Sequence, residues 1–257
     1  MTLHDWIFSV YPENSAINGR WGALHIATLA LCILIIAALS VFRRKGFKVR
    51  QNVILVLASC ILFLEIARRV INLLRGEAAG LNDYLYLLLP RPWCAISCWF
   101  MIVAAFTKRR VICSFAAANG LLCALVFFAY PAVGFNDRYI LFENVYSIAT
   151  HSLLFISSIT MMILEITDYR IERAVVLPQI GMLGGVFVYA FAEIYLLQIE
   201  SDPLYFMPGN DVQEVLGVNH PLYLVIYVVF WAFYFSLFYI VQQQLTLRQT
   251  KRQPTLA

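Results

Sequence analysis

The sequence predicts an all-α polytopic membrane protein in which seven helices cross the bilayer. Apolar residues make up 61% of its 257 residues and charged residues 13%, and its mean hydropathy is +0.75. Soluble domains average about 45–50% apolar and about 25% charged residues, so a soluble globular fold is excluded. At about 20 residues per crossing the chain has room for seven or eight helices with short loops. We therefore expect a single transmembrane domain over residues 1–257.

Seven apolar runs of membrane-spanning length follow the first twenty residues. Their approximate bounds are 21–42, 52–74, 84–107, 111–130, 139–166, 175–199 and 221–245. Pro90, Arg91 and Pro92 interrupt the first turns of the third run, so its regular helix should begin near Pro92. The first twenty residues lack the basic start and the compact apolar core of a signal peptide, which predicts that the N-terminus is retained.

The basic residues between the runs predict the orientation. Thirteen lysines and arginines follow runs one, three, five and seven, whereas the segments on the opposite side hold only Arg20, Arg75 and Arg138. Because cytoplasmic segments are enriched in lysine and arginine, the N-terminus is predicted outside and the C-terminus inside. The formal net charge of +4 is thus explained by topology, and no nucleic-acid partner is predicted.

Several kinds of chemistry are excluded by what the runs lack. The chain has no glycine-rich phosphate loop, no GxSxG and no CxxC, and no lysine falls within a run to form a retinal-type Schiff base. An intramembrane zinc site would need about three histidines at one depth, and only His25 and His151 qualify. Six cysteines lie within apolar runs and are interpreted as free thiols. No metal and no cofactor are predicted.

Polar side chains inside the runs are the candidate functional residues, because a bilayer tolerates them only beside partners or in a wet cavity. At ~1.5 Å per residue from the cytoplasmic end, those placed by counting lie roughly 20–26 Å deep on five helices, which predicts a cavity that opens outward. The candidates are His25, Glu65, Arg68, Arg69, Arg91, Cys94, Glu143, Ser147, His151 and Glu193.

The fifth run gives the clearest pattern. Glu143, Ser147 and His151 recur every four residues and share one helix face. This face is interpreted either as part of a functional pocket or as a structural set, in which Glu143 and Glu65 neutralise the arginines. The two interpretations are compatible. Composition does not distinguish Cys94 from a cysteine that merely packs as a small apolar residue.

Five segments carry a resemblance to a known family. Leu89-Pro90-Arg91-Pro92-Trp93-Cys94 resembles the Leu-Pro-x-x-x-Cys signature of the YwaF-type bacterial integral membrane proteins, which are relatives of the animal transmembrane protein 164 family. Three further segments agree in order and spacing: Trp21-Gly22-Ala23-Leu24-His25, Leu62-Phe63-Leu64-Glu65, and Phe142-Glu143-Asn144-Val145-Tyr146-Ser147 with His151-Ser152-Leu153-Leu154. The stretch Leu204-Tyr205-Phe206-Met207-Pro208-Gly209, just before the last run, also resembles the family. Pro92 stands where many bacterial members carry a histidine.

The resemblance implies a function in lipid metabolism. The animal relatives are described as acyltransferases that move a fatty acyl chain between phospholipids through a cysteine, with a histidine assisting. Carried over by position, the nucleophile is Cys94 and the base is His151. The implied partners are membrane lipids, and the implied location is a cell membrane, in bacteria the plasma membrane.

Two functions remain open at this point. One is a lipid acyltransferase or acyl hydrolase that uses Cys94 and His151. The other is a non-catalytic receptor or transporter for a small polar or lipid solute, whose pocket is lined by the charged side chains. Seven helices without an inverted repeat weaken the transporter form of the second function.

Overall fold

The computed structural model describes residues 6–7, 21–76, 80–91, 93–129, 135, 140–196, 204–205 and 207–252. Within these residues the fold is helical, with no β-strand. The α-helices are, in chain order, α1 (Ala23–Ser40), α2 (Phe47–Leu74), α3 (Leu81–Leu88), α4 (Trp93–Thr107), α5 (Arg110–Ala129), α6 (Phe142–Ile163), α7 (Arg173–Phe191), α8 (Asp211–Leu216) and α9 (His220–Arg252).

The boundaries follow local backbone chemistry. α3 ends at Leu88 and α4 begins at Trp93, because Pro90 disfavours a helical conformation in the residue before it and cannot itself donate to a preceding turn. The predicted start of regular helix in the third run is thereby confirmed, although Pro92 itself lies outside the described residues. α4 ends before Lys108, which has a left-handed φ of 57°, and α8 ends before Gly217, which has a left-handed φ of 64°.

Helices over the predicted runs confirm a polytopic, all-helical protein. Among the described residues, five helical segments are long and apolar enough to cross a membrane: Ala23–Arg44, Arg110–Ala129, Phe142–Ile163, Arg173–Leu196 and His220–Gln244. The other two predicted runs correspond to α2, which is long but rich in charge, and to α3 with α4, of which α4 has 15 residues. Seven crossings and their orientation stay predictions, and so does the single domain over residues 1–257. Arg20 and Arg138 lie outside the described part.

The chain divides into two compact units, Met1–Thr167 and Asp168–Ala257. In the first unit α5 is the most enclosed of the five spanning candidates and packs between α4 and α6. The contact of α5 with α6 depends on Gly120, where an added Cβ would lie 2.6 Å from Ser158 Oγ. Small residues allow this close approach of helices, which positions α6 and its polar face against the core.

α2 and α6 of the first unit run antiparallel. At one end of the pair, Arg50 Nη1 of α2 donates to the carbonyl oxygen of Leu164 at 2.7 Å, just after α6. Arg43, in the 3₁₀ turn after α1, pairs with Glu165 at 2.9 Å at this same end. The opposite end of the pair therefore brings the last turns of α2 to the first turns of α6, where the candidate residues lie.

In the second unit, α7 continues into a π-helical turn, Ala192–Leu196. Glu193 lies in this turn and is fully buried, and Tyr189 Oη donates to its Oε1 at 2.6 Å. The hydroxyl of Tyr227 in α9 donates to the carbonyl oxygen of Leu204 at 2.8 Å, which fixes residues 204–205 against α9.

Candidate functional site

Glu65 is the most enclosed member of the charged cluster, which consists of Glu65, Arg68, Arg69, Arg75, Glu143 and Tyr146. None of the surface of Glu65 is exposed. Tyr146 Oη of α6 donates to Oε1 of Glu65 at 2.5 Å, and Arg69 Nη1 donates to Oε2 at 2.5 Å. Both carboxylate oxygens thus have partners inside the protein, as a buried carboxylate requires.

Arg69 is fully engaged with the protein around it. Its Nη1 also donates to the carbonyl oxygen of Glu65 at 2.9 Å, and its Nε donates to the carbonyl oxygen of Leu88 at 3.1 Å. The guanidinium lies over the ring of Trp99, 5.5 Å from its centroid. Arg69 therefore ties α2 to the end of α3 and to α4.

Glu143, in the first turn of α6, has two arginine neighbours. Arg75 Nη1 lies 2.9 Å from Oε1, and Arg68 Nε lies 3.8 Å from Oε2. Arg75 also donates to the carbonyl oxygen of Ile7. The ion pairs that the sequence predicted for Glu65 and Glu143 are therefore present, and the second of them recruits an arginine from the very end of α2.

Arg68 is bound much more loosely than the other arginines of the charged cluster. Its closest ionic contact is the 3.8 Å approach to Glu143, and its Cζ lies 5.0 Å from the ring centroid of Tyr146. It makes no hydrogen bond within the described part of the chain, and its side chain is 31% exposed. The guanidinium of Arg68 is therefore both charged and reachable.

Cys94 is the second residue of α4 and lies within electrostatic range of Arg68 and Glu65. Its side chain is half-buried, whereas Cys98, one turn further along, is fully buried beside Glu65. The helix N-terminus and the Arg68 guanidinium favour a thiolate at Cys94, whereas burial and the carboxylate of Glu65 oppose it. The structure thus separates two cysteines that composition left equivalent. Arg91 is buried directly before α4.

His151 is held in one tautomer. Its Nδ1 lies 2.7 Å from the carbonyl oxygen of Ser147, one turn earlier in α6. Because a carbonyl oxygen only accepts, a neutral His151 carries its proton on Nδ1, and Nε2 keeps a lone pair. The imidazole stacks on Phe127 of α5, with a centroid distance of 4.0 Å and an interplanar angle of 8°. The ring is therefore fixed in plane and in tautomer.

His25 and His151 lie in one aromatic environment. We call this group the histidine cluster; it consists of His25, Phe127, Phe128, Phe135 and His151. His25 is fully buried. Its Nδ1 accepts from the backbone N–H of Trp21 at 3.1 Å, and its ring stacks on Phe135 with a centroid distance of 4.6 Å. Phe127 and Phe135, 5.5 Å apart, connect the two histidines.

His151 belongs to the histidine cluster, whereas Cys94 lies beside the charged cluster. No hydrogen bond or electrostatic interaction joins them within the described residues: Cys94 interacts with the charged cluster, and His151 with Ser147 and Phe127. In the same part of the chain, no group of three or more His, Cys, Asp or Glu side chains is arranged to hold a metal ion. The two groups meet on α6, which carries Glu143 and Tyr146 as well as His151.

Comparison with known proteins identifies the family. The model of the TMEM164 family matches residues 20–239. The chain belongs to the TMEM164 family. No curated protein and no solved structure matches it. Together with the five apolar helices, membership of the TMEM164 family makes this chain a multi-pass membrane protein.

The TMEM164 match extends from before His25 to beyond Glu193, so it includes all ten candidate residues. Nine of them lie in the first unit, and Glu193 lies in the second. The interactions described above bring five of the nine together around the charged cluster or directly beside it: Glu65, Arg68, Arg69, Cys94 and Glu143. Arg91 is buried directly before α4.

Sequence reasoning missed three residues of this TMEM164 site. Arg75 was assigned to an external loop, although its spacing of seven residues from Arg68 places the two on one helix face. Tyr146 lies three residues after Glu143, and this spacing likewise places the two on one helix face. Phe127 had none, because nothing in an apolar run distinguishes the phenylalanine that stacks on a histidine from its neighbours.

Proposed function

We propose that this TMEM164-family chain is a lipid acyltransferase, or an acyl hydrolase when water is the acceptor, with Cys94 as nucleophile and His151 as base. The observation that carries the proposal is the position of Cys94. It is the half-buried cysteine at the start of α4, within electrostatic range of a guanidinium that has no hydrogen bond in the described residues. The buried Cys98 lacks this access.

The reaction has two steps. In the first, Nε2 of His151 takes the proton of the Cys94 thiol, the sulfur attacks the ester carbonyl of a lipid, and an S–C bond forms as the C–O bond breaks. The leaving lysolipid alkoxide receives the proton from His151. In the second step, His151 removes a proton from an acceptor hydroxyl, whose oxygen attacks the thioester, and the departing sulfur regains that proton.

The resting arrangement supports this use of His151 in two ways. Its Nδ1–H is occupied by the Ser147 carbonyl, which leaves Nε2 as the nitrogen that accepts a proton. The stacked Phe127 keeps the ring from rotating. Catalytic contacts often tighten only with substrate in place, so the thiol and the imidazole must approach, directly or through one water, when the lipid binds.

The test is acyl turnover by the purified protein in an uncharged detergent. A phospholipid with a labelled acyl chain is supplied, and the label is followed into a second lipid or into free fatty acid. Wild type should turn over the donor, Cys94→Ser and His151→Ala should lose at least a hundredfold in rate, and Cys98→Ser should keep the wild-type rate. Equal rates in Cys94→Ser and wild type would refute the proposal.

A second candidate function is a non-catalytic pocket for a polar or lipid solute. It is favoured by one observation, namely that Cys94 and His151 make no contact with each other in the described residues. Under this function Cys94→Ala should leave ligand-induced stabilisation intact, no acyl product should form, and Arg68→Ala should remove the stabilisation.

A further inference from the structure

The three arginines of the charged cluster have different tasks, although the sequence presents them alike. Arg69 donates hydrogen bonds to Glu65 and to the carbonyl oxygen of Leu88, and Arg75 donates to Glu143 and to the carbonyl oxygen of Ile7. Both are used to hold α2, α3 and α6 and the segment at residues 6–7 in place. Neither is available to a ligand without breaking these contacts.

Arg68 is in a different situation. A guanidinium has five N–H donors, and in the described residues none of those of Arg68 makes a hydrogen bond. The ring of Tyr146 makes a cation–π contact with one face of the guanidinium, but it accepts no hydrogen bond from the N–H groups. The side chain of Arg68 is 31% exposed, and its Nε is buried without a hydrogen-bond partner among the described residues. A charged donor that lacks an acceptor is costly, so a ligand that supplies one is favoured here.

Charge balance points to an anion. Among the described residues, the cluster contains three arginines and two glutamates, so these residues carry one formal positive charge in excess. Glu65 is already taken by Arg69 and Tyr146, and Glu143 is closer to Arg75, at 2.9 Å, than to Arg68, at 3.8 Å. The excess charge is therefore located on Arg68.

The position of Arg68 along α2 indicates which kind of anion binds to it. It lies six residues before the end of the helix at Leu74, or ~9 Å along the axis. In the predicted topology α2 crosses the bilayer and its end lies at the level of the lipid headgroups. A guanidinium binds the two oxygens of a phosphate in a fork.

We infer that Arg68 is the binding site for the phosphate of the ligand, a phosphate ester held next to Cys94. This inference rests on the proposed function, because it takes the ligand of the site to be a lipid whose ester reaches the thiol. Phosphate binding positions the molecule, and the reaction occurs at Cys94.

The experiment measures ligand-induced thermal stabilisation in an uncharged detergent with three probes. Oleoyl-lysophosphatidylethanolamine has a chain and a phosphate, monooleoylglycerol has the same chain without phosphate, and glycerol 3-phosphate has a phosphate without a chain. In wild type the lysophospholipid should bind at least tenfold more tightly than monooleoylglycerol. In Arg68→Gln this preference should disappear.

Matched variants separate binding from folding. Arg69→Gln should lower the melting temperature without ligand yet keep the tenfold preference for the phosphate-bearing lipid. Arg68→Lys keeps the charge but loses the fork, and should show an intermediate preference. Should Arg68→Gln fail to fold, Arg68→Lys carries the test, and an undiminished preference in that variant contradicts the inference.

The remaining outcomes are equally decisive. Equal affinity of wild type for the two lipids, or an undiminished preference in Arg68→Gln, overturns the inference. Stabilisation by glycerol 3-phosphate as strong as that by the lysophospholipid, and lost in Arg68→Gln, keeps Arg68 as the phosphate site but assigns it to a free phosphate ester. Cys94→Ser should keep the preference, so a failure of the acyl-transfer proposal would be seen separately.

Discussion

The charged cluster and the histidine cluster share helix α6, yet they are held together by different forces. In the charged cluster, Glu65 is fixed by a hydroxyl and a guanidinium at 2.5 Å each. In the histidine cluster, His151 is fixed by one backbone carbonyl and one stacked ring. Loss of one ionic partner leaves a buried charge, whereas loss of a stacking partner leaves only a looser ring.

This difference assigns separate tasks to the two regions. The charged cluster joins α2, α3, α4 and α6, so changes there should first be visible in stability. The histidine cluster orients one imidazole, so changes there should be visible in rate while the protein stays folded. Arg68 is the exception, because it belongs to the charged cluster by position but makes the weakest contacts in it.

The largest effect is expected for Glu65→Leu. The substitution removes the partner of both Arg69 and Tyr146 and leaves a guanidinium buried beside apolar residues, which costs about 3–5 kcal/mol. The melting temperature in detergent should fall by well over 5 °C. Phe63→Leu is the control on the same helix, since Phe63 is 70% exposed and should be nearly neutral. A wild-type melting temperature for Glu65→Leu would mean that the charged cluster does not hold the helices.

Glu143→Gln should have a smaller effect on stability than Glu65→Leu. Glu143 is 27% exposed at the side chain, so solvent screens its ion pairs with Arg75 and Arg68, and the amide can still accept a hydrogen bond. We expect a loss of about 1–2 kcal/mol in the free energy of unfolding. Chemical denaturation followed by tryptophan fluorescence measures it, and a loss as large as that of Glu65→Leu would contradict the ranking of the two carboxylates.

Substitution of Phe127, which stacks on His151, tests the histidine cluster. Phe127→Leu frees the imidazole of His151 to rotate, which should lower kcat for acyl transfer roughly tenfold with KM unchanged, because positioning contributes to the chemical step. Phe127→Tyr retains the stacking and should keep the wild-type kcat. Phe155→Leu is the matched control, since the ring of Phe155 contacts Phe128 and makes no stacking contact with His151 among the described residues. A change in KM alone would indicate that Phe127 touches the substrate.

How far the sequence predicts this molecule depends on the kind of signal. Helices in the apolar runs and the break before Trp93 were predictable, because composition and proline act locally. The pairing of Glu65 and Glu143 with arginines was predictable too, since charges in a bilayer require partners. The different contacts of Arg68, Arg69 and Arg75 were not predictable from the sequence, because they depend on which carbonyl oxygens the neighbouring segments place beside each guanidinium.

The smallest effect is expected at the far end of α1 and α6. The pair between Arg43 and Glu165 is about 40% exposed on each side, so Glu165→Gln should change the free energy of unfolding by no more than ~1 kcal/mol. Denaturant titration at low and high salt measures it. A loss comparable to that of Glu65→Leu would contradict the view that the charged cluster, and not this end, holds the helices.

The most direct test of the central claim is a search for the covalent intermediate. The protein is mixed with a phospholipid donor in the absence of acceptor, quenched in acid and examined by mass spectrometry of the intact chain and of its peptides. We expect one acyl group on Cys94, removed by neutral hydroxylamine, absent in Cys94→Ser and retained in Cys98→Ser. An acyl group on another residue, or none under conditions in which wild type turns over the donor, would contradict Cys94 as the nucleophile.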